Sequence, residues 1–521
     1  MKNLLILPVL AGFLAGCSPP GPSAPGKNHL IYIIADAPTS LDPARADDLV
    51  YYQIAFNIFE TLVTVNWKTG AFEPALATRW QPDSSRLTWT FVLRGARFHD
   101  GSPLNAEAVK ISFERQFVAG SPYYRPKFTD RHGPLAFAMI QEIRAVDDST
   151  VQFQLKYPHA AFLDNLASPY YSTIVSPAAL ESHKENFGRH PVGTGPFEFG
   201  RWDSTGEIVI KGFSPYWSRP AQLDSVIYKV VPSLDKKIDD LRRGKADVAS
   251  GLSAASVNQF YGDSSFKMVE ELSLATAILG MKLRNSPFDA LHVRQAVAHA
   301  IDKRYVIGSL GRNLSIPAQG PLSPLLAFYD STLAAPEYDT VRAKMLLQKS
   351  GYAGQPLVKL GHCVDTDSER ASPLLQAIKH ELQKIGIPVA VQLYSNWPSY
   401  EANVLKGNDC ELFLWGHLSV TRHPGDFLYA LFHSQSPQNY LNYKNSEVDA
   451  MLEQARRAPD REQQCRLYRR VQEIILWETP AVFISHPKVV YAIRAWVKNF
   501  SADPLGIPSL KEAELENRSQ K

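Results

Sequence analysis

Residues 29–35 hold an unbroken apolar, β-branched run, Leu30-Ile31-Tyr32-Ile33-Ile34, which predicts a buried strand. Pro38-Thr39-Ser40-Leu41-Asp42-Pro43 ends it as a loop. Over 50–62 the residues Ile54, Phe56, Ile58, Phe59 and Leu62 supply a broad apolar side and predict a helix. Leu87, Trp89, Phe91 and Leu93 then alternate with Thr88, Thr90 and Val92, the period of a strand. The Asp-Gly pair of Arg97-Phe98-His99-Asp100-Gly101 marks a turn. Asn105 is a suitable helix cap ahead of Val109, Phe113 and Phe117 at four-residue spacing, and Val151, Phe153, Leu155 and Tyr157 alternate as a further strand.

The second half has the same texture without a repeat. Residues 289–302 predict a helix with Val293, Val297, Ala300 and Ile301 on one side. Residues 374–385 predict another, stopped by Gly386 and Pro388. Residues 411–415 form a short apolar strand running into Gly416. Ser446 reads as the cap of a helix carrying Val448, Leu452 and Ala455. Asp460 with Gln463 has the spacing of a capping box before Leu467, Val471, Ile474 and Ile475. Helices and strands interleave from end to end, which predicts an α/β class.

At 521 residues the chain exceeds the roughly 250–300 at which one core stops growing, so more than one lobe is expected. A net charge of +3, from 55 basic and 52 acidic residues, leaves no basic excess for a nucleic-acid binder. The amino terminus carries Lys2 and then an apolar stretch over 4–16, short of the roughly 20 residues that span a bilayer, so a signal peptide is expected. It ends in Leu14-Ala15-Gly16-Cys17, which resembles the lipobox of bacterial lipoproteins. That resemblance implies cleavage before Cys17, acylation there, and a soluble body tethered at a membrane through the Pro/Gly/Ser segment that follows. Cys363, Cys410 and Cys465 lack metal-site spacing and read as buried apolar cysteines.

An ordered set of motifs then resembles the extracytoplasmic solute-binding proteins of ABC importers, the large family that includes oligopeptide- and dipeptide-binding proteins. These are Ala37-Pro-Thr-Ser-Leu-Asp-Pro-Ala44, Phe59-Glu-Thr-Leu62, Glu73-Pro-Ala-Leu-Ala77, Phe98-His-Asp-Gly-Ser-Pro-Leu-Asn-Ala-Glu-Ala-Val109, Pro191-Val-Gly-Thr-Gly-Pro-Phe197, Gly244-Lys-Ala-Asp-Val248, Pro287-Phe-Asp289 with Val293-Arg-Gln-Ala296, and Ala300-Ile-Asp-Lys303. The likeness spans about residues 29–505. It implies a two-lobed periplasmic-binding-protein-like fold (type II, cluster C) with a hinge and an extra N-terminal subdomain. The expected division is a signal peptide over 1–16, a lipidated Cys17 and tether over 17–28, a first lobe over 29–278, a second over 279–484, a return over 485–510 and a polar, frayed tail over 511–521. Residues 275–283 and 481–493 are the apolar stretches expected to run between lobes.

The same likeness implies a ligand closed between the lobes of a monomer and delivered to an ABC permease with its ATPase, with no cofactor and no nucleic acid. Peptide-binding members carry Trp-x-x-Asp after a strand of the second lobe, where the aspartate pairs with the peptide amino group. Here Leu414-Trp415-Gly416 matches, but His417-Leu418-Ser419 replaces the acid, which opens the way to a blocked, modified or anionic solute with Arg422 as its partner. Candidate ligand-binding residues are Thr39, Ser40, Trp397, Tyr400, Trp415, Gly416, His417 and Arg422. His417, His423 and His433 have no compact metal-ligand spacing. The sequence has no GxSxG, HExxH, P-loop or GxGxxG motif, so an enzyme is not expected. The alternatives are a receptor for a non-peptide solute or metal complex, a sensor-linked receptor, and a secreted hydrolase.

Overall fold

The computed structural model describes residues 28–45, 49–124, 136–252, 254–311, 314–354, 357–363 and 368–516. The expected signal peptide, Cys17 and most of the expected tether lie outside the described residues.

Sixteen strands matter here: β1 (His29–Ile34), β2 (Ala77–Pro82), β3 (Thr88–Leu93), β4 (Ile140–Asp147), β5 (Thr150–Leu155), β6 (Phe197–Trp202), β7 (Ile208–Gly212), β8 (Ser225–Val230), β9 (Val248–Ala249), β10 (Phe266–Leu272), β11 (Ala275–Met281), β12 (Ser315–Pro317), β13 (Val358–Cys363), β14 (Val389–Tyr394), β15 (Leu412–Leu418) and β16 (Ala481–Arg494). One large sheet runs in the order β14-β13-β15-β11-β16-β9-β1-β8-β7-β6, with β10 and β12 also on β16. A separate four-stranded sheet has the order β2-β3-β5-β4.

The apolar run of β1 is explained by its position. It lies inside the sheet between parallel partners, β8 and β9, with Leu30, Tyr32 and Ile34 packed in one core cluster and Ile31 and Ile33 in another on the opposite face. β16 joins the two halves of the large sheet. Its residues Ala481 to Ser485 pair with β11, and Lys488 to Arg494 pair with β10. Pro487, which cannot donate to a ladder, stands where the partner changes. Residues 275–283 and 481–493, expected as the runs between lobes, therefore supply two neighbouring strands of one continuous sheet.

The helices used below are α1 (Leu49–Ala55), α2 (Ala106–Phe117), α3 (Phe162–Ala167), α4 (Leu291–Ala300), α5 (Ser368–Lys384), α6 (Gly425–Phe432), α7 (Ser446–Arg457) and α8 (Arg461–Glu478). The Asn105 side chain accepts from Ala108 N and starts α2 as expected, and Phe113 packs edge-on to Phe137 and Phe153 at 5.1 Å each. Asp460 caps α8 through Glu462 N and Gln463 N.

Other boundaries differ from expectation. The helix predicted over 50–62 stops at Ala55, because the carbonyls of Asn57 and Ile58 accept from Phe197 N and Gly195 N rather than from later helical turns. Asn445, not Ser446, caps α7, accepting from both Glu447 N and Val448 N. Over its described residues, 511–516, the tail is not frayed: Glu514–Leu515 pairs with Val497–Lys498, and Ala513 is fully buried. Cys410 is buried as expected, whereas Cys363 is half-buried and Cys465 exposed.

The motifs of the first half lock onto one another. His99 donates its backbone N–H to Gly193 O (3.0 Å), its ring nitrogen lies 3.0 Å from Gly195 O, and burial lowers its pKa to about 4, so it is neutral. A Cβ on Gly193 would stand 2.1 Å from Ile58 O, so only glycine fits that approach. Asp42 accepts a bidentate pair from Arg115 of α2 at 2.7 and 2.8 Å.

Candidate functional site

A cavity of about 340 Å³ opens between two parts of the chain far apart in sequence. His159, Asn165 and Tyr171, around α3, form one wall. His417 and Leu418 at the end of β15, the loop after it, and Asp426 and Tyr429 of α6 form the other. Hydrogen bonds tie the walls at the rim: Ala160 N to Arg456 O (2.8 Å), Ser168 Oγ to Val420 O (2.7 Å) and Arg456 Nη2 to Tyr157 Oη (3.3 Å). Arg86 Nη1 donates to Pro459 O (2.7 Å) along the same seam.

Burial sets the electrostatics. It lowers His423 to about 4, and it lowers His159 to about 3 with help from Arg456 and His423, so both imidazoles are neutral at pH 7. Burial raises the Asp426 carboxyl to about 6, against the hydrogen bond its Oδ2 accepts from Val420 N at 2.7 Å. The cationic group on the wall is Arg456, which pairs with Glu453 at 3.1 Å and lies over the Tyr429 ring at 4.5 Å. The cavity thus offers a partly desolvated acid, aromatic and imidazole surfaces, and one arginine with a partner of its own.

A second cavity, about 380 Å³, sits where β16 changes partners. Tyr52, Gln53, Tyr170, Ser250, Lys488 and Tyr491 line it. Leu418 lines both cavities, and the adjacent Tyr170 and Tyr171 line one each. The two are therefore neighbouring stretches of one cleft, running from Tyr491 past Leu418 to Arg456.

Of the residues expected at the site, His417 is on the cleft wall. Trp415, two positions earlier on β15, shares its face of the strand but packs behind it, with ring centroids 5.2 Å from His417 and 5.0 Å from Tyr440. Gly416 points to the other face and is exposed. Tyr400 is a core residue whose hydroxyl donates to Leu414 O (2.6 Å), and the partly exposed Trp397 rests 5.7 Å from it. Thr39 is exposed. Ser40 is buried in its turn, with Oγ accepting from Asp42 N (3.1 Å) and filling the space left by Gly188. Arg422 lines a third cavity with Gly70 and Asp164 rather than the cleft beside Trp415.

His159, Asn165, Tyr171, Asp426 and Arg456 are cleft residues that the candidate set omitted. Asp426 alone had a local signal, as the acid nearest the missing Trp-x-x-Asp position. His417 and His423 line one cavity, but His433 is elsewhere, stacked on Tyr429 at 4.2 Å. Among the described residues, no group of three or more His, Cys, Asp or Glu side chains could hold a metal ion, and no helix is long and apolar enough to cross a membrane.

Relatives share this organisation over nearly the whole chain. The glutathione-binding protein GsiB of Pectobacterium atrosepticum is 31% identical over 486 residues, 92% of each chain. The dipeptide-binding protein of Escherichia coli K12 is 25% identical over 513 residues, 94% of each. The solved structure of the ABC transporter-associated periplasmic binding protein DppA of Helicobacter pylori, in complex with the peptide STSA, superposes with a TM-score of 0.81 at 28% identity, covering 94% of this chain and 98% of that one. The α/β, two-lobed periplasmic-binding fold expected from the sequence is therefore the fold observed. A profile of the bacterial extracellular solute-binding proteins, family 5, matches residues 71–439, and with that match the chain belongs to this family of binding proteins, which are not enzymes.

Proposed function

We propose that the protein is the extracytoplasmic receptor of an ABC importer, lipid-anchored through Cys17, which closes two lobes on a peptide or peptide-like solute and presents it to a permease and its ATPase. One observation carries the reading: the cleft is walled by residues 136–171 on one side and 417–456 on the other, and β16 passes between the two halves of the sheet. In this reading the first lobe holds residues 29–278 and 485–510, the second holds 279–484, and the crossings at β11 and β16 are the hinge. Contacts to both walls favour the closed state by the difference in affinity between closed and open forms. Relatives that bind glutathione and dipeptides support the solute class.

Leu418 occupies the third position after Trp415, so an amino-group partner has to come from Asp426 on α6, or the solute has no free amino terminus there. Native mass spectrometry of the chain from Asn28 onward tests this reading. The expected result is a co-purifying peptide or amino-acid conjugate that is displaced by unfolding and excluded by Leu418→Trp, which fills the middle of the cleft. A protein that carries no small molecule and binds none of a library of di- to pentapeptides would overturn it.

A further inference from the structure

The third cavity, about 450 Å³, lies across the segment 159–161 from the cleft and shares His423 with it. Arg422 and Arg461 both line it. Arg422 is half-buried. Its Nε donates to Leu325 O at 3.4 Å, and among the described residues its two terminal nitrogens have no acceptor. The guanidinium occupies the space beside Gly70 that a side chain would fill, where an added Cβ would lie 2.0 Å from Nη1. Arg461 extends over the Phe328 ring at 4.9 Å and, among the described residues, has no carboxylate within 4.0 Å.

The contrast with neighbouring arginines is sharp. On the same helix α8, Arg466 pairs with Glu462 (2.6 Å) and Arg469 with Asp330 (2.9 Å). On α7, Arg456 pairs with Glu453 (3.1 Å). Of the arginines on α7, α8 and the loop after β15, Arg422 and Arg461 are the ones with no acid within ion-pair distance among the described residues, and both face this cavity. The acid that does share it, Asp164, is pushed up by burial to about 7 against the nearby Arg422 and Arg461, so near neutral pH it is only partly ionised and offsets only part of their charge. His423 on the shared wall is neutral.

We infer that this cavity is an oxyanion pocket, in which Arg422 and Arg461 receive a carboxylate or phosphate group by charge-assisted hydrogen bonds. The inference extends the solute-receptor reading, because the anion has two possible sources. It is either the anionic end of the solute, reaching past His423 from the cleft, or a separate small anion.

Titration calorimetry on the chain from Asn28 onward distinguishes them, with inorganic phosphate as one probe and trialanine against trialanine amide as the other. A separate anion is read as phosphate binding that falls about tenfold or more in Arg461→Gln and in Arg422→Gln. The anionic end of a solute is read as a preference for trialanine over its amide of about tenfold or more, abolished by the same substitutions. Arg469→Gln, at an arginine with its own acid, should change neither. Arg461 is exposed, so its variant tests the pocket even if Arg422→Gln fails to fold. The inference is overturned if neither probe binds, or if Arg461→Gln leaves both phosphate affinity and carboxylate preference unchanged. The phosphate arm reads the pocket alone, so it can succeed or fail independently of whether the cleft holds a peptide.

Discussion

The Asp42–Arg115 pair offers the most direct test of how the first-half motifs work. Asp42 belongs to the loop after β1, the segment expected to touch ligand, and Arg115 projects from the last turn of α2 beneath the four-stranded sheet. Both side chains are almost fully buried, at 7% and 4% exposure, and they meet through two parallel N–H···O bonds of 2.7 and 2.8 Å. Asp42 also accepts from Ala44 N at 3.0 Å. Asp42→Ala would leave a buried guanidinium without its counter-charge, a loss of about 3–5 kcal/mol, and Arg115→Ala would strand the carboxylate at similar cost. Against a total stability of about 5–15 kcal/mol, either is a large fraction. The double variant removes both charges together and should cost clearly less than the sum of the singles.

Urea unfolding of the chain from Asn28 onward, followed by tryptophan fluorescence and circular dichroism, measures all four proteins. The pH dependence is a second arm. Burial pushes the Asp42 carboxyl up, but the Arg115 charge and hydrogen bonds and Ala44 N more than offset this, and its pKa lies below the ordinary value of 3.8. A depressed folded-state pKa gives stability that is present above the unfolded value and lost as pH falls through the folded one. The gap between wild type and Asp42→Ala should therefore close in acid, below about pH 4. A loss under about 1 kcal/mol at pH 7, additive singles, or a gap unchanged at pH 2 would refute the reasoning.

Two further outcomes follow from the same geometry. Gly193→Ala drives a Cβ to 2.1 Å from Ile58 O, where backbone rather than a flexible side chain must yield, and should lower the urea midpoint or abolish soluble expression, while Gly416→Ala, with open space around it, should do neither. Burial holds the folded-state pKa of Asp426 at about 6, above the ordinary 3.8 of a free aspartate, so it contributes stability that is full below the unfolded value and lost as pH rises through 6. Urea midpoints from pH 4 to 8 should fall for the wild type by an amount corresponding to about 1–3 kcal/mol and stay flatter for Asp426→Asn, and parallel curves would show that its carboxyl is not desolvated.

Elements whose pattern comes from their own burial were legible. β3 and β5 alternate because Phe91, Leu93, Val151, Phe153 and Leu155 enter one core with Phe113 and Phe162 while the residues between them are only half-buried, and β1 is continuously apolar because Leu30, Tyr32 and Ile34 enter one core cluster and Ile31 and Ile33 another. The end of α1 was not legible, because Asn57 and Ile58 leave the helix to serve Phe197, Gly195 and Leu510, partners hundreds of residues away or otherwise non-local. The cleft divides the same way. His417 could be found because its strand and tryptophan could be found. His159, Asn165 and Tyr171 were hidden because no local pattern states that the start of α3 faces the loop after β15. Arg422 shows the opposite failure: its position in sequence suggested the Trp415 cleft, but its backbone turn carries it over Gly70 into the neighbouring cavity.

The motifs that make the family recognisable are the ones the cleft does not use. His99 and Gly193 bind one another's segments, Gly195 fits against Asn57 and Ile58, and Asp42 anchors α2. Each is a close approach of backbone or a buried charge pair, where a different residue would be driven into a carbonyl or left unpaired, so the scaffold admits few substitutes. The cleft has no such demand. Leu418, Tyr171, His159 and Tyr429 present surfaces to a space, and a space accepts many side chains provided its polar groups are matched by what enters. In the proposed reading, solute choice falls to the residues with the weakest sequence signature, and a glutathione-binding protein and a dipeptide-binding protein both match this chain over nearly its whole length, at 31% and 25% identity. For this chain the distinguishing features are physical ones: a desolvated Asp426 with Leu418 at the third position after Trp415, the neutral imidazoles of His159 and His423 along the wall, and Arg422 and Arg461 in the next cavity, without an acid within ion-pair distance among the described residues.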